Sequence, residues 1–120
     1  MFKVASFNTN SIRARLPLVL DWLDREKVDV LCLQETKVED KDFPLADFSK
    51  KGYNAVFSGR KSYNGVAMIS PHQLGKAHTG IGDWAEPGEA RLIEATVKGI
   101  PVVNTYIPQG YDPKSEKFAY

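Results

Sequence analysis

A mixed α/β fold, with a parallel strand pair at its head and antiparallel strands behind, is what this sequence predicts, and three observations carry the prediction. Val28-Asp29-Val30-Leu31-Cys32-Leu33-Gln34-Glu35 is an apolar run rich in valine and leucine, the pattern of a strand buried on both faces. Phe2-Lys3-Val4-Ala5-Ser6-Phe7-Asn8 is a second strand-like run that ends in a polar amide. Between them, Arg13 to Lys27 has helical periodicity, with Leu16, Val19, Leu20 and Leu23 on one stripe and charges opposite. Strand, helix and strand within roughly 30 residues make a βαβ unit. Its crossover is right-handed and its strands run parallel. Parallel strands bring their C-terminal ends to one edge, so Asn8 and Glu35 are expected at one crevice, where open α/β sheets bind ligands. Glu35 stands out there. A carboxylate at the mouth of a buried sheet has to be hydrated, paired or bound to a hard cation.

The later elements follow in order. Lys37 to Asp42 is charged and reads as a solvated loop or short turn. Leu45 to Lys51 predicts a short helix ending at Gly52, a residue suited to the position after a helix. Tyr53 to Ser58 alternates as a strand and Gly65 to Ser70 as another, with the basic Gly59 to Asn64 stretch as a hairpin loop. Leu74 to His78 fits a short edge strand, and Gly80 to Gly88, which includes Trp84 and Pro87, fits an irregular loop. Arg91 to Val97 and Ile100 to Ile107 predict a hairpin around Lys98-Gly99. Pro113 to Tyr120 begins a helix with Asp112 as its N-cap. The order predicts one mixed sheet, without repeats or a low-complexity linker.

At 120 residues the chain amounts to one domain or part of one. A net charge of +1 announces no global field for a nucleic acid or a membrane, so any basic surface is local. Cys32 is the single cysteine; it is expected in the core of a protein from a reducing compartment. The N-terminal apolar stretch is interrupted by Lys3 and Asn8, so no signal peptide is expected, and no apolar run approaches the roughly 18 residues of a membrane span. His72 and His78 fall in a turn and an edge strand without carboxylate context and are expected at the surface. Trp22 and Trp84 are expected as packing residues.

Four segments share order and spacing with a known family: Ser6-Phe7-Asn8-Thr9-Asn10-Ser11-Ile12-Arg13, Leu33-Gln34-Glu35-Thr36-Lys37, Tyr63-Asn64-Gly65-Val66-Ala67 and Asn104-Thr105-Tyr106-Ile107-Pro108-Gln109-Gly110. The chain resembles the exonuclease III-like AP endonucleases, a branch of the endonuclease/exonuclease/phosphatase superfamily with the DNase I-like four-layer α/β sandwich. Leu-Gln-Glu alone marks the superfamily; Gln-Glu-Thr-Lys together with Asn-Thr-Tyr-Ile-Pro-Gln-Gly points to the DNA-repair branch. The resemblance runs over residues 1–120 but implies only the N-terminal half of one such domain. The family's Asp-x-Asn segment and C-terminal Asp-His pair find no match here. The family fold packs two sheets face to face, one largely from each half. Half of it is expected to leave an apolar sheet face uncovered, and the chain to self-associate through that face or to need the missing half.

The resemblance implies a Mg²⁺-dependent phosphodiesterase, with Mn²⁺ as a substitute, in the cytoplasm of a bacterium or archaeon. Its implied partner is double-stranded DNA with abasic sites or 3′ ends, and no membrane. Glu35 and Asn8 are implied as the metal residues, Glu35 the principal ligand and Asn8 oriented beside it, a use that suits Mg²⁺, which takes one or two carboxylates and keeps water. Tyr106 and Gln109 are implied to touch and hold the substrate phosphate, completing a catalytic set with Asn8. Arg13, Lys37, Tyr63 and Arg91 fall where the family grips the DNA backbone, contacts that position without reading sequence. Asn10 stands where some members carry aspartate. Two other readings stay open: a phosphodiesterase of the same fold acting on RNA, phospholipid or inositol phosphate, and a non-catalytic half-domain that dimerises and binds duplex weakly.

Overall fold

A computed structural model of the chain describes residues 1–60, 63–79 and 92–105 and, for residues 60, 63, 64 and 76–79, the backbone alone. Strand β1 (Val4–Asn8), helix α1 (Ile12–Glu26) and strand β2 (Val30–Gln34) form the βαβ head. β1 runs parallel to β2 in the register Val4↔Val30 to Asn8↔Gln34. A 3₁₀ turn over Asp40–Asp42 and helix α2 (Leu45–Lys50) lead into β3 (Asn54–Arg60) and β4 (Tyr63–Ser70). β4 pairs antiparallel with both β3 and β2, giving the order β1-β2-β4-β3.

The remaining strands, β5 (Leu74–Thr79), β6 (Leu92–Val97) and β7 (Ile100–Thr105), form a separate antiparallel sheet. The expected single mixed sheet is therefore two. The reason lies in the alternation of β6, whose Ile93, Ala95 and Val97 are buried against Val30, Cys32, Val66 and Met68 of the first sheet. The first sheet's other face packs on α1 and α2 through Ile12, Val19, Leu23, Phe48, Leu31, Leu33 and Ile69. Helices, sheet and sheet thus make three layers, and β2 is buried on both faces as its composition requires.

Local chemistry explains the element ends. Ser11 caps α1, its Oγ accepting from the N–H of Ala14 at 3.3 Å. At the other end Lys27 turns left-handed and its N–H reaches the Leu23 carbonyl. Pro17 lies inside the helix. Lacking an N–H, it forgoes the bond to the Arg13 carbonyl. Lys98 and Gly99, at φ 51° and 79°, form a two-residue turn that closes Val97 on Ile100, as the Lys-Gly pair predicts. Phe43 stacks on Phe57 with centroids 4.2 Å apart, holding the 3₁₀ turn to β3. Asp24 of α1 accepts from Lys51 Nζ at 2.8 Å and from the Tyr53 hydroxyl at 3.0 Å, and the lysine bond first holds its carboxyl below the ordinary carboxylate value. Burial alone pushes the Cys32 thiol up to about 11, consistent with its place in the core.

His72 corrects the sequence reading, because it has a carboxylate partner. Its Nε2 lies 2.8 Å from Asp29 Oδ1, while Asp29 Oδ2 accepts from the backbone N–H of Lys3 at 2.7 Å. Ser70 Oγ donates to the Asp29 carbonyl at 2.6 Å and accepts from the His72 N–H at 2.9 Å. The antiparallel register brings the end of β4 beside the start of β2, which the linear sequence does not disclose. Asp29 precedes β2 and Glu35 follows it, so this cluster sits at the opposite sheet edge from Glu35.

Candidate active site

The pairing Asn8↔Gln34 is the last of the parallel ladder, so both strands leave the sheet at one edge. The two chains stay joined beyond it. Backbone N–H groups of Thr9, Ser11 and Ile12 donate to the carbonyls of Gln34, Glu35 and Thr36 at 2.9, 2.9 and 3.0 Å. The buried Thr9 hydroxyl lies 2.9 Å from the carbonyls of both Gln34 and Glu35 and shares its hydrogen between them. From the other side the Thr36 N–H donates to the Gly65 carbonyl at 3.2 Å. Gly65 has φ +99°, and a Cβ there would drive into the Thr36 side chain, so this close approach requires glycine.

The backbone here is unusual. Asn10, Ser11, Glu35 and Lys37 have φ of 45°, 90°, 54° and 57°, four of the six non-glycine left-handed residues in the described chain. Such conformations cost on the order of 1–3 kcal/mol each and concentrate at functional sites. These four cluster around the one carboxylate at this edge.

The side chains complete the picture. Glu35 is held from both sides and its side chain is 22% exposed. Asn8 donates its Nδ2 to Oε2, and its own Oδ1 accepts from the Asn10 N–H at 3.1 Å. Lys37 Nζ lies 3.5 Å from Glu35 Oε1 and donates to Asn10 Oδ1 at 2.6 Å. The Glu35 and Asn10 oxygens thus already share a positive charge, supplied by the chain's own ammonium. That donor set, one carboxylate with a neighbouring amide oxygen, has the oxygen chemistry that a hard divalent cation takes. Among the described residues no cluster of three histidine, cysteine, aspartate or glutamate side chains exists to form a complete protein cage.

Asn8, Glu35 and Lys37 are therefore brought together. Asn8 is spent on orienting Glu35 and the Asn10 backbone, and Lys37 leans on the carboxylate and on Asn10. Arg13 joins Lys37 in lining an adjacent cleft of about 590 Å³ with Ser11, Glu39 and Asp42, so the cleft carries both signs of charge. Tyr63 is on β4, with its side chain outside the described residues. Arg91, Tyr106 and Gln109 lie outside the described residues altogether. Sequence reasoning gave no role to Thr9, Gly65 or Asn104. The last had a readable signal: an amide on an otherwise apolar strand must find buried partners.

Known proteins resemble the chain in sequence and in fold. Residues 5–117 match the pattern of the Endonuclease/Exonuclease/phosphatase family. The chain is 32% identical to exodeoxyribonuclease III of Haemophilus influenzae, over 97% of this chain and 48% of that protein. Among solved structures it resembles an AP endonuclease from Archaeoglobus fulgidus at TM-score 0.92 and 51% identity, over 100% of this chain and 46% of that one. It also resembles a 3′ phosphatase from Neisseria bound to product DNA hairpin, at TM-score 0.93 and 37% identity, over 100% of this chain and 47% of that one. The chain spans about half the length of these relatives. Its mixed α/β architecture is that of the DNase I-like AP endonucleases, and the chain belongs to the endonuclease/exonuclease/phosphatase family.

Proposed function

We propose that the chain is the N-terminal half of a Mg²⁺-dependent DNA-repair phosphodiesterase, which as a complete protein incises duplex DNA at abasic sites and removes nucleotides from 3′ ends. The observation that carries this reading is the placement of Glu35: a carboxylate at the joined ends of two parallel strands, oriented by Asn8, with a cation already beside it. The names of the related proteins favour DNA as the substrate. In this reading Glu35 holds the metal, with Mn²⁺ able to replace Mg²⁺, and Asn8 fixes the carboxylate. Lewis-acid polarisation of the scissile phosphate is the chemistry a divalent cation at Glu35 supplies. Tyr106 and Gln109 hold the phosphate. Arg13, Lys37, Tyr63 and Arg91 grip the backbone, a contact that gives affinity without sequence preference.

In-line displacement also needs a group that orients the nucleophile opposite the metal. No Asp-x-Asn follows Tyr106 in this sequence, so the chain alone is proposed to be inactive. The open edge of β1 supports a missing complement. Val4 and Phe7 there are 53% and 40% exposed, beside an apolar groove of about 270 Å³ lined by Ala5, Phe7, Leu18 and Trp22. An uncovered edge with apolar side chains favours association, either with the rest of the fold or with a second copy. Among the described residues no helix is long and apolar enough to cross a membrane.

Substrate class is tested by supplying a C-terminal half from a related AP endonuclease and comparing rates on abasic duplex, single-stranded RNA and a small aryl phosphodiester. The expected result is preferential cleavage of the abasic duplex. Equal rates on the small phosphodiester would overturn the DNA assignment.

A further inference from the structure

Asn104 belongs to β7 in the second sheet, yet among the described residues its side chain hydrogen-bonds the first. Its Nδ2 donates to the carbonyls of Leu33 at 2.9 Å and Ala67 at 2.8 Å, register partners on β2 and β4. Its Oδ1 accepts from Gln34 Nε2 at 2.8 Å, and that same nitrogen lies 2.9 Å from Ser6 Oγ on β1. One chain of amides therefore ties three strands of the first sheet to a strand of the second.

Location separates this contact from ordinary packing. The rest of the inter-sheet core, from Val30, Cys32, Val66 and Met68 to Ile93, Ala95 and Val97, is apolar. Asn104, 2% exposed, places a polar group at the strand ends only. Burying an amide costs free energy unless every group is bonded, and apolar side chains would hold the sheets together as well. What a satisfied amide adds is a fixed register. Gln34 immediately precedes Glu35, and its carbonyl accepts from Thr9 in the segment that carries Asn8 and Asn10. Asn104 is two residues before Tyr106 in the sequence.

We propose that the Gln34–Asn104 amide pair is a positioning device for the active site, fixing the Glu35 carboxylate at the end of β2 relative to the second sheet. Neither residue touches substrate; both act through Glu35. The inference rests on the metal-binding reading of Glu35 above.

Asn104→Ala would strand two buried carbonyls and risks unfolding the chain, so the informative variant is Gln34→Met, which keeps side-chain length and leaves the bonds from Asn104 to Leu33 and Ala67 intact. Mn²⁺ is titrated into the ¹⁵N-labelled chain, and paramagnetic broadening of the amides of residues 8–10 and 35–37 is followed. Gln34 acts on Glu35 through the backbone and does not bond its carboxylate. The effect is therefore expected to stay below the loss of about tenfold or more that follows removal of a direct partner of a ligand, and the midpoint in Gln34→Met to rise about threefold to tenfold. Val97→Ala, which thins the inter-sheet core away from the site, is the control for stability and is expected to lower the melting temperature without moving the midpoint. An unchanged midpoint in Gln34→Met, or an equal shift in Val97→Ala, would overturn the proposal and leave the pair as a fold pin. Absence of broadening at these amides in the unmodified chain would instead remove the metal reading of Glu35, and the positioning role with it.

Discussion

The side-chain amide of Asn8 hydrogen-bonds the carboxylate of Glu35 across the ends of two parallel strands, 27 residues apart in sequence. Parallel pairing explains how they meet, and the Thr9, Ser11 and Ile12 backbone bonds to the 34–36 segment explain why they stay in place. Asn8→Ala frees one carboxylate oxygen and removes the acceptor for the Asn10 N–H. Metal affinity at Glu35 is expected to fall about 10–100-fold, as for other partners of ligating carboxylates. Isothermal titration with Mn²⁺ checks this; an unchanged affinity would count against the orienting role.

Lys37 sets its ammonium against both Glu35 and Asn10, where it would compete with the proposed metal. A like charge beside a metal site opposes the metal. Lys37→Gln is therefore expected to tighten Mn²⁺ binding while weakening duplex binding, with the salt slope of DNA affinity reduced by about one. Weaker Mn²⁺ binding in this variant would show that the ammonium supports the site rather than competing for it.

Backbone strain around the carboxylate yields a pair of opposite predictions. Ser11 adopts φ 90° at the cap of α1, a conformation suited to glycine. Ser11→Gly relieves about 1 kcal/mol or more of strain and loses only a few tenths as a cap, so urea unfolding is expected to show a net gain. Gly65→Ala places a Cβ into Thr36 at φ +99°. It is expected to cost more than about 1 kcal/mol and to shift the amide signals of residues 35–37.

At the opposite edge, the Lys3 N–H first and His72 second hold the Asp29 carboxyl below its ordinary value. A depressed folded-state pKa contributes stability above the unfolded value, near about 3.9, and loses it as pH falls through the lower folded value. Asp29→Asn is thus expected to melt lower than the unmodified chain near neutral pH, with the gap closing as the solution is acidified. A gap that widens in acid would contradict the assignment.

Local chemistry was legible in the sequence and long-range register was not. The βαβ head, the Lys98-Gly99 turn and the position of Glu35 at a strand end all follow from periodicity and turn residues within a few positions of each other. The second sheet did not, because alternation over Leu92–Val97 shows that one face is buried without showing against what. His72 and Asp29 lie 43 residues apart, and Asn104 and Gln34 lie 70 apart; each pair meets only once strands are aligned. Gly59 reads as a turn residue, yet it belongs to β3, where a Cβ would drive into the Val38 carbonyl. Its N–H donates to Asp40 Oδ1 at 2.8 Å, so the hairpin extends further than its glycine suggested. Of the positions proposed for catalysis and DNA contact, Arg91, Tyr106 and Gln109 lie outside the described residues.

The most direct test of Glu35 as the metal-holding group of a nuclease is incision of an abasic-site duplex, with Mg²⁺ or EDTA, by the chain alone and by the chain supplied with a C-terminal half, each beside Glu35→Ala. The predicted result is no cleavage by the chain alone, and Mg²⁺-dependent cleavage by the assembled pair that Glu35→Ala and EDTA both abolish. Cleavage by the assembled pair that survives Glu35→Ala or EDTA would contradict the central claim.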